Sequence, residues 1–183
     1  FVSQGYTENV DLFTFPYDWR YGAVGKNDLS ITNSDLLGLK IEQIRSQTGA
    51  NKIDIISHST GGLIVKQYVM DHPLSHHINK TVLVGVPNLG APKAIKALLQ
   101  GDNFNIPGLS DAEMKKIAQN MPVAYDLAPS PALVDQQGSF LRTIDDYLLA
   151  PDVITDLDYQ NAWDLLIERG ANETGFENST STH

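Results

Sequence analysis

The chain has 183 residues, 42% hydrophobic and 19% charged, which is the length and composition of one globular domain able to bury a sizeable core. Its net charge is −9, and its basic residues, among them Lys40, Lys52, Lys66, Lys80 and Lys93, are scattered along the chain, which argues against nucleic acid as the main partner. The absence of cysteine excludes disulfides and thiolate metal sites, and no apolar run reaches the length of a membrane span.

The first residue is Phe1 and no basic-then-apolar leader precedes it, so the sequence reads as cut at its N-terminus. "NVDLFTFP" alternates and is rich in β-formers, which predicts a strand over about residues 10–15 ending at Pro16, with "YDWR" following it. "SDLLGLKIEQIRSQTG" repeats Leu36, Leu37, Ile41 and Ile44 at helical spacing, with Ser34 as the expected N-cap and Gly49 as the stop. "KIDIIS" is short and β-branched, as in a buried strand. "GGLIVKQYVMDHP" then has a helical period up to Pro73, and "KTVLVGVP" reads as another buried strand.

Strand, helix, strand, helix, strand implies α/β architecture: βαβ units with right-handed crossovers and a parallel sheet covered on both faces. From about residue 93 to 170 the character changes. "SDAEMKKIAQNM", "SFLRTIDDYLL" and "YQNAWDLLIERG" read as helices between proline-containing breaks, with no convincing strand, and "ANETGFENSTSTH" as a frayed polar tail. Residues 1–92 are therefore expected to form an α/β core and 93–183 a helical insertion with its tail.

"SHSTGG" at residues 57–62 lies where the second strand passes into the second helix. A serine on a sharp strand-to-helix turn has its hydroxyl lifted above the sheet, and small residues two before and two after it keep the turn free of clashes. Ser59 has that position, flanked by Ser57 and Gly61, so the spacing is G-x-S-x-G with Ser for its first Gly. The helix that follows aims free N–H groups at the same place, and the N–H of Thr60 is placed to hold a developing oxyanion. The competing reading is a Ser/Thr-rich N-cap with no chemistry.

"LFTFPYDWR", "IDIISHSTGGLIVKQYV", "LVGVPNLGAPKA" and "NMPVAYDLAPSPALV" stand in one order, and together they resemble the lecithin:cholesterol acyltransferase-like branch of the α/β-hydrolase lipases over roughly residues 5–135. The resemblance implies that Ser59 is the acyl-accepting nucleophile, that Thr60 N–H is half of an oxyanion hole, and that the residues after about 93 form a helical cap admitting lipid. It implies a hydrophobic or lipid ester as substrate, transient contact with a lipid interface, no cofactor and no metal. Within "FPYDWR", Asp18 and Arg20 are expected to pair and Trp19 to brace the elbow; Tyr17 or Trp19 lining an acyl pocket is the alternative.

A serine needs a histidine base oriented by a carboxylate. His58 reads as elbow packing. His72, His76 and His77 are expected on the side of the sheet away from Ser59, and His183 is terminal. Asp145, Asp146, Asp152, Asp156, Asp158 and Asp164 all sit in helical or loop text. The family's oxyanion-loop strand, which should lie between the strand of "VDLFTF" and that of "IDIIS", is also missing, so these residues read as an internal piece of a larger hydrolase. Ester hydrolysis, acyl transfer to an alcohol and a scaffold without a complete triad remain open. A metal site at His72, His76 and His77 is opposed by Pro73, which breaks the helical spacing it would need.

Overall fold

The computed structural model describes residues 1–145 and 153–179. The chain divides into two compact units, Phe1–Val86 and the residues from Pro87 onward.

In the first unit a 3-10 turn at Trp19–Tyr21 is followed by α1 (Asn33–Thr48), β1 (Ile53–His58), α2 (Thr60–Asp71) and β2 (Ile78–Val84). β1 and β2 pair in parallel, with Ile53 opposite Ile78 and His58 opposite Val84, so α2 is the crossover of a βαβ unit. α2 packs on β1, and α1 packs on α2. The two helices approach closely at Gly38, where a Cβ would lie 2.9 Å from the Tyr68 ring. Their polar ends meet where Ser34 Oγ donates to Asp71 Oδ2 at 3.2 Å.

α1 starts two residues earlier than Ser34 would start it. Thr32 is the N-cap: its Oγ1 accepts from Asp35 N–H, and Asp35 Oδ2 accepts from Thr32 N–H, each at 3.0 Å. This reciprocal box satisfies two of the helix's free donors at once, which a cap at Ser34 could not do. Gly49 ends the helix in the left-handed conformation, as expected.

Two expectations for this unit fail. Residues 10–15 form no strand; Leu12 makes an isolated bridge to Glu8, and residues 13–18 run without regular structure. β-forming side chains make a strand only when a neighbour takes up the backbone N–H and C=O groups, and no described segment does so here. The parallel sheet, moreover, is not covered on both faces. β2 is exposed from Asn79 to Val84, with Val82 52% exposed, and Ile56 opposite it on β1 is exposed too. Within this unit the extensive packing on the sheet is that of α2 on β1.

The second unit contains α3 (Pro92–Leu99), α4 (Asp111–Gln119), α5 (Pro122–Asp126), α6 (Pro131–Gln137), β3 (Arg142–Asp145), β4 (Val153–Asp156), α7 (Tyr159–Glu168) and α8 (Glu173–Ser179). Its core gathers Ile95, Leu98, Tyr125, Trp163 and Leu166, all nearly inaccessible to solvent. Tyr125 and Trp163 stack with ring centroids 6.4 Å apart, and Tyr125 Oη donates to Gln119 O at 2.8 Å while accepting from Asn172 N–H at 2.6 Å. A buried phenol thus keeps both of its hydrogen-bonding roles filled.

β3 and β4 correct the helical reading of "SFLRTIDDYLL". Arg142 lies opposite Asp156 and Thr143 opposite Thr155 in an antiparallel pair, closed by Arg142 Nε donating to Asp156 Oδ1 at 2.6 Å. Cross-strand pairing overrode a helical period carried by few residues. The part of that helix beyond residue 145 lies outside the described residues. The frayed tail is corrected in the same way for Glu173–Ser179, which form α8, while residues 180–183 lie outside the described set.

The Asp35 carboxyl is held below its ordinary range, first by the Thr32 backbone N–H. A lowered folded-state pKa contributes stability above the unfolded value near ~3.9 that is lost as pH falls through the folded one. Asp35→Ala should therefore cost about 0.3–1 kcal/mol at neutral pH in denaturant unfolding, and the difference from the native chain should shrink as the pH is taken below the carboxylate range.

Candidate active site

Ser59 joins β1 to α2 with φ 53° and ψ −131°. This backbone region is sparsely populated by residues with a Cβ, and a serine there is held by its surroundings. Its N–H donates to Val84 O at 2.9 Å, fastening the turn to the end of β2. The first bond inside the helix is Gly62 N–H to Ser59 O at 3.0 Å, so the N–H groups of Thr60 and Gly61 are left at the free N-terminus of a twelve-residue helix.

The capping alternative can be tested against the chain's own caps. Thr32, Ser110, Ser130 and Asp158 precede α1, α4, α6 and α7 in extended conformation, and each side chain accepts a bond from the first helical turn. Ser59 does neither: its φ is positive and its side chain makes no cap bond. It is a half-buried serine at the tip of a sharp turn whose hydroxyl is not used to start the helix.

The small residues around it are required by close approach. A Cβ on Gly62 would lie 2.1 Å from Val86 Cγ2, an overlap no side chain can make. A Cβ on Gly61 would lie 3.3 Å from Tyr17 Oη and 3.9 Å from Ser57 Cβ. Ser57 is buried, and its Oγ has no hydrogen-bond partner, which makes it an unsatisfied hydroxyl where glycine is commonest in such turns.

Tyr17 is therefore the residue of "FPYDWR" that meets the elbow. It stacks on Phe15 at 5.8 Å, and burial pushes its phenol above the ordinary value. Trp19, expected to brace the turn, is 56% exposed instead. Asp18 and Arg20 do pair, Arg20 Nε donating to Asp18 Oδ1 at 2.9 Å, and the Arg20 side-chain bond holds the Asp18 carboxyl below its usual range. Asn33 Nδ2 donates to Asp18 O and Gly22 O, which ties this segment to the start of α1.

No hydrogen bond joins a histidine to Ser59 among the described residues. His58 is exposed, its Nε2 on the side of Gly85, so it is not packed into the elbow as expected. His72 lies tilted against Tyr68 with ring centroids 4.7 Å apart, His76 Nδ1 accepts from Ile78 N–H at 3.0 Å, and His77 Nε2 lies 3.8 Å from Glu42 Oε1. Ile53 N–H donates to His77 O, so this group sits at the opposite end of β1 from Ser59, a strand length of roughly 20 Å away. Among the later acids, Asp156 bonds Arg142, Asp158 caps α7 and Asp164 accepts from Gln160. Asp146, Asp152, His183 and the Asp145 side chain lie outside the described residues.

In the second unit the other two motifs are sewn together. Gly90, at φ 88°, turns "PNLGAP" so that a Cβ there would lie 2.1 Å from Ala128 O. Ala91 N–H donates to Leu127 O at 2.7 Å and Ser130 N–H to Leu89 O at 3.0 Å. Chain reversal, expected of "PNLGAP", also serves to seat "PVAYDLAPSP" against it.

Gly62→Ala should destabilise the chain by about 1–3 kcal/mol, the usual cost of overpacking, with a lowered midpoint of denaturant unfolding; an unchanged midpoint would mean that the Val86 contact is not fixed.

Comparison with known proteins matches residues 1–166 to the family described as Lecithin:cholesterol acyltransferase. Phosphatidylcholine-sterol acyltransferase of Mus musculus is 27% identical over 173 residues, covering 91% of this chain and 38% of its own length. Phospholipase A(1) LCAT3 of Arabidopsis thaliana is 33% identical over 141 residues, covering 71% and 30%. Lysosomal phospholipase A and acyltransferase of Bos taurus is 24% identical over 173 residues, covering 90% and 40%. The chain thus spans about a third of the length of these relatives, and it belongs to the lecithin:cholesterol acyltransferase family.

Proposed function

We propose that the protein acts as a serine ester hydrolase or acyltransferase on a phospholipid or other hydrophobic ester. The relatives' names describe phospholipases and acyltransferases, which supports a lipid acyl ester as the substrate class. The single observation that carries a serine mechanism is the Ser59 turn: positive φ, a hydroxyl unused as a cap, and free helix N–H groups beside it. In this reading Ser59 Oγ attacks the ester carbonyl, its proton passes to a base, and the oxyanion rests on Thr60 N–H and a second donor. The alcohol leaves as the carbonyl reforms, giving an acyl-serine that water or an acceptor alcohol then resolves.

The finer fold reading goes with this function: an α/β-hydrolase core built on β1, α2 and β2, with the residues from about 93 as its helical cap. The open apolar face at Ile56 and Val82 supports a sheet larger than two strands, since water alone rarely faces such a surface.

Incubation with a fluorophosphonate followed by intact-mass analysis tests the nucleophile. One adduct is expected on the native chain and none on Ser59→Ala, and added imidazole, standing in for the base, should speed its formation. An adduct that survives in Ser59→Ala would overturn the assignment, and no adduct with or without imidazole would favour a non-catalytic scaffold. Backbone strain gives a second check: Ser59→Gly should be more stable than Ser59→Ala by about 1 kcal/mol, because glycine adopts φ 53° without the Cβ penalty.

A further inference from the structure

Between α1, the C-terminal end of α2 and the loop before β2 lies a groove of about 490 Å³. Asp35, Gly38, Leu39 and Glu42 line it from α1, spaced so that they share one face of the helix. The helical rise puts Asp35 and Glu42 roughly 10 Å apart along the axis. Gly38 opens the middle of this stripe: a Cβ there would lie 2.9 Å from Tyr68 Cε2, so glycine and ring form an apolar floor beside exposed Leu39.

The polar groups on the walls are acceptors. Both Thr32 bonds to Asp35 go to Oδ2, from the N–H at 3.0 Å and from Oγ1 at 2.8 Å, so Oδ1 carries no bond among the described residues. Arg45 Nη1 donates to both oxygens of Glu42, at 2.8 and 2.7 Å, while Arg45 Nε is held by Asn51 O at 3.0 Å, which keeps the guanidinium out of the groove lining. A carboxylate has about four lone-pair sites, so Glu42 keeps acceptor capacity. His72 Nδ1 lies 3.1 Å from Tyr68 O; a carbonyl only accepts, so Nδ1 holds the proton and the neutral ring keeps a lone pair on Nε2. Among the described residues no lysine or arginine lines the groove. Burial, and then the charge of Glu42, push the Tyr68 phenol up, so the floor stays uncharged between two carboxylates.

We propose that this groove binds a linear aliphatic diamine, one ammonium at Asp35 and the other at Glu42, with the methylenes over Gly38 and Tyr68. An ammonium has three donors and no acceptor, which suits walls that only accept. Among the described residues no group of three side chains could hold a metal ion, so a bare metal ion is not the occupant. The site lies at the end of β1 away from Ser59 and does not rest on the lipid ester reading. A ligand bound to the native state alone also raises the unfolding midpoint.

Isothermal titration calorimetry of the full chain with octamethylenediamine at low ionic strength is the test. Saturable binding is expected, weaker by about two- to fivefold for octylamine, which has a single ammonium, and for Glu42→Gln or Asp35→Asn, the range of an exposed charge pair. Both variants keep a side-chain oxygen, and an unchanged circular dichroism spectrum checks that they fold. Putrescine has the same charge on a shorter chain and should bind less tightly, because it cannot reach both carboxylates. In amide NMR spectra the diamine should move Gly38, Leu39 and Ser75 and leave residues 57–62 in place. No binding by the native chain, equal affinity for octylamine or putrescine, or undiminished affinity in both carboxylate variants would each overturn the proposal. So would a like loss in Glu168→Gln, which removes a carboxylate of the second unit, or NMR shifts confined to other residues.

Discussion

The first unit depends on how tightly α2 can be brought back over the end of β2. Ser59 N–H reaches Val84 O, and Gly62 has no room for a Cβ beside Val86. A chain leaving β1 can meet both contacts only by turning sharply, and that turn forces the positive φ at Ser59. Strain at one serine is thus the local consequence of a packing distance set several residues away. α2 in turn fixes α1 through the Gly38–Tyr68 approach and the Ser34–Asp71 bond.

The same chain shows what an ordinary helix start looks like. Where Thr32, Ser110, Ser130 and Asp158 precede helices, they stay extended and use their oxygens to satisfy free N–H groups. At Ser59 the geometry denies the side chain that task and leaves both the hydroxyl and the helix's first donors uncommitted. The histidines show the opposite economy. His72, His76 and His77 are all engaged with neighbours at the far end of β1, so their nearness to Ser59 in sequence does not become nearness in space.

In the second unit, two sequence motifs that look independent are one structural feature. "PNLGAP" and "PVAYDLAPSP" exchange backbone bonds at Ala91–Leu127 and Ser130–Leu89, and glycine at position 90 lets the two chains touch. Behind them Tyr125 stacks on Trp163 and fastens α8 through the Asn172 N–H. That bond, with Gly175 N–H donating to Asn172 Oδ1 at 3.2 Å and Phe176 packed on Trp163, anchors the polar segment after residue 172, which is helical rather than frayed.

Local chemistry made much of this legible in the sequence: the helical periods of α1, α2, α4 and α7, the Gly49 and Pro73 stops, and the small residues around Ser59 are all short-range constraints written within a few residues. What the sequence left undetermined depends on partners distant along the chain. Residues 10–15 have strand chemistry and no strand, because nothing described pairs with them; Arg142–Asp145 have helical text and a strand, because Val153–Asp156 pair with them. Thr32 took the cap from Ser34 because only Thr32 has Asp35 three residues on, while Ser34 was wanted by Asp71 on another helix. Tyr17 replaced Trp19 at the elbow for a similar reason: which ring meets Gly61 is decided by the path of the backbone across the unit. Residue type and spacing determined the turn that holds Ser59, and only the tertiary structure decided what surrounds it.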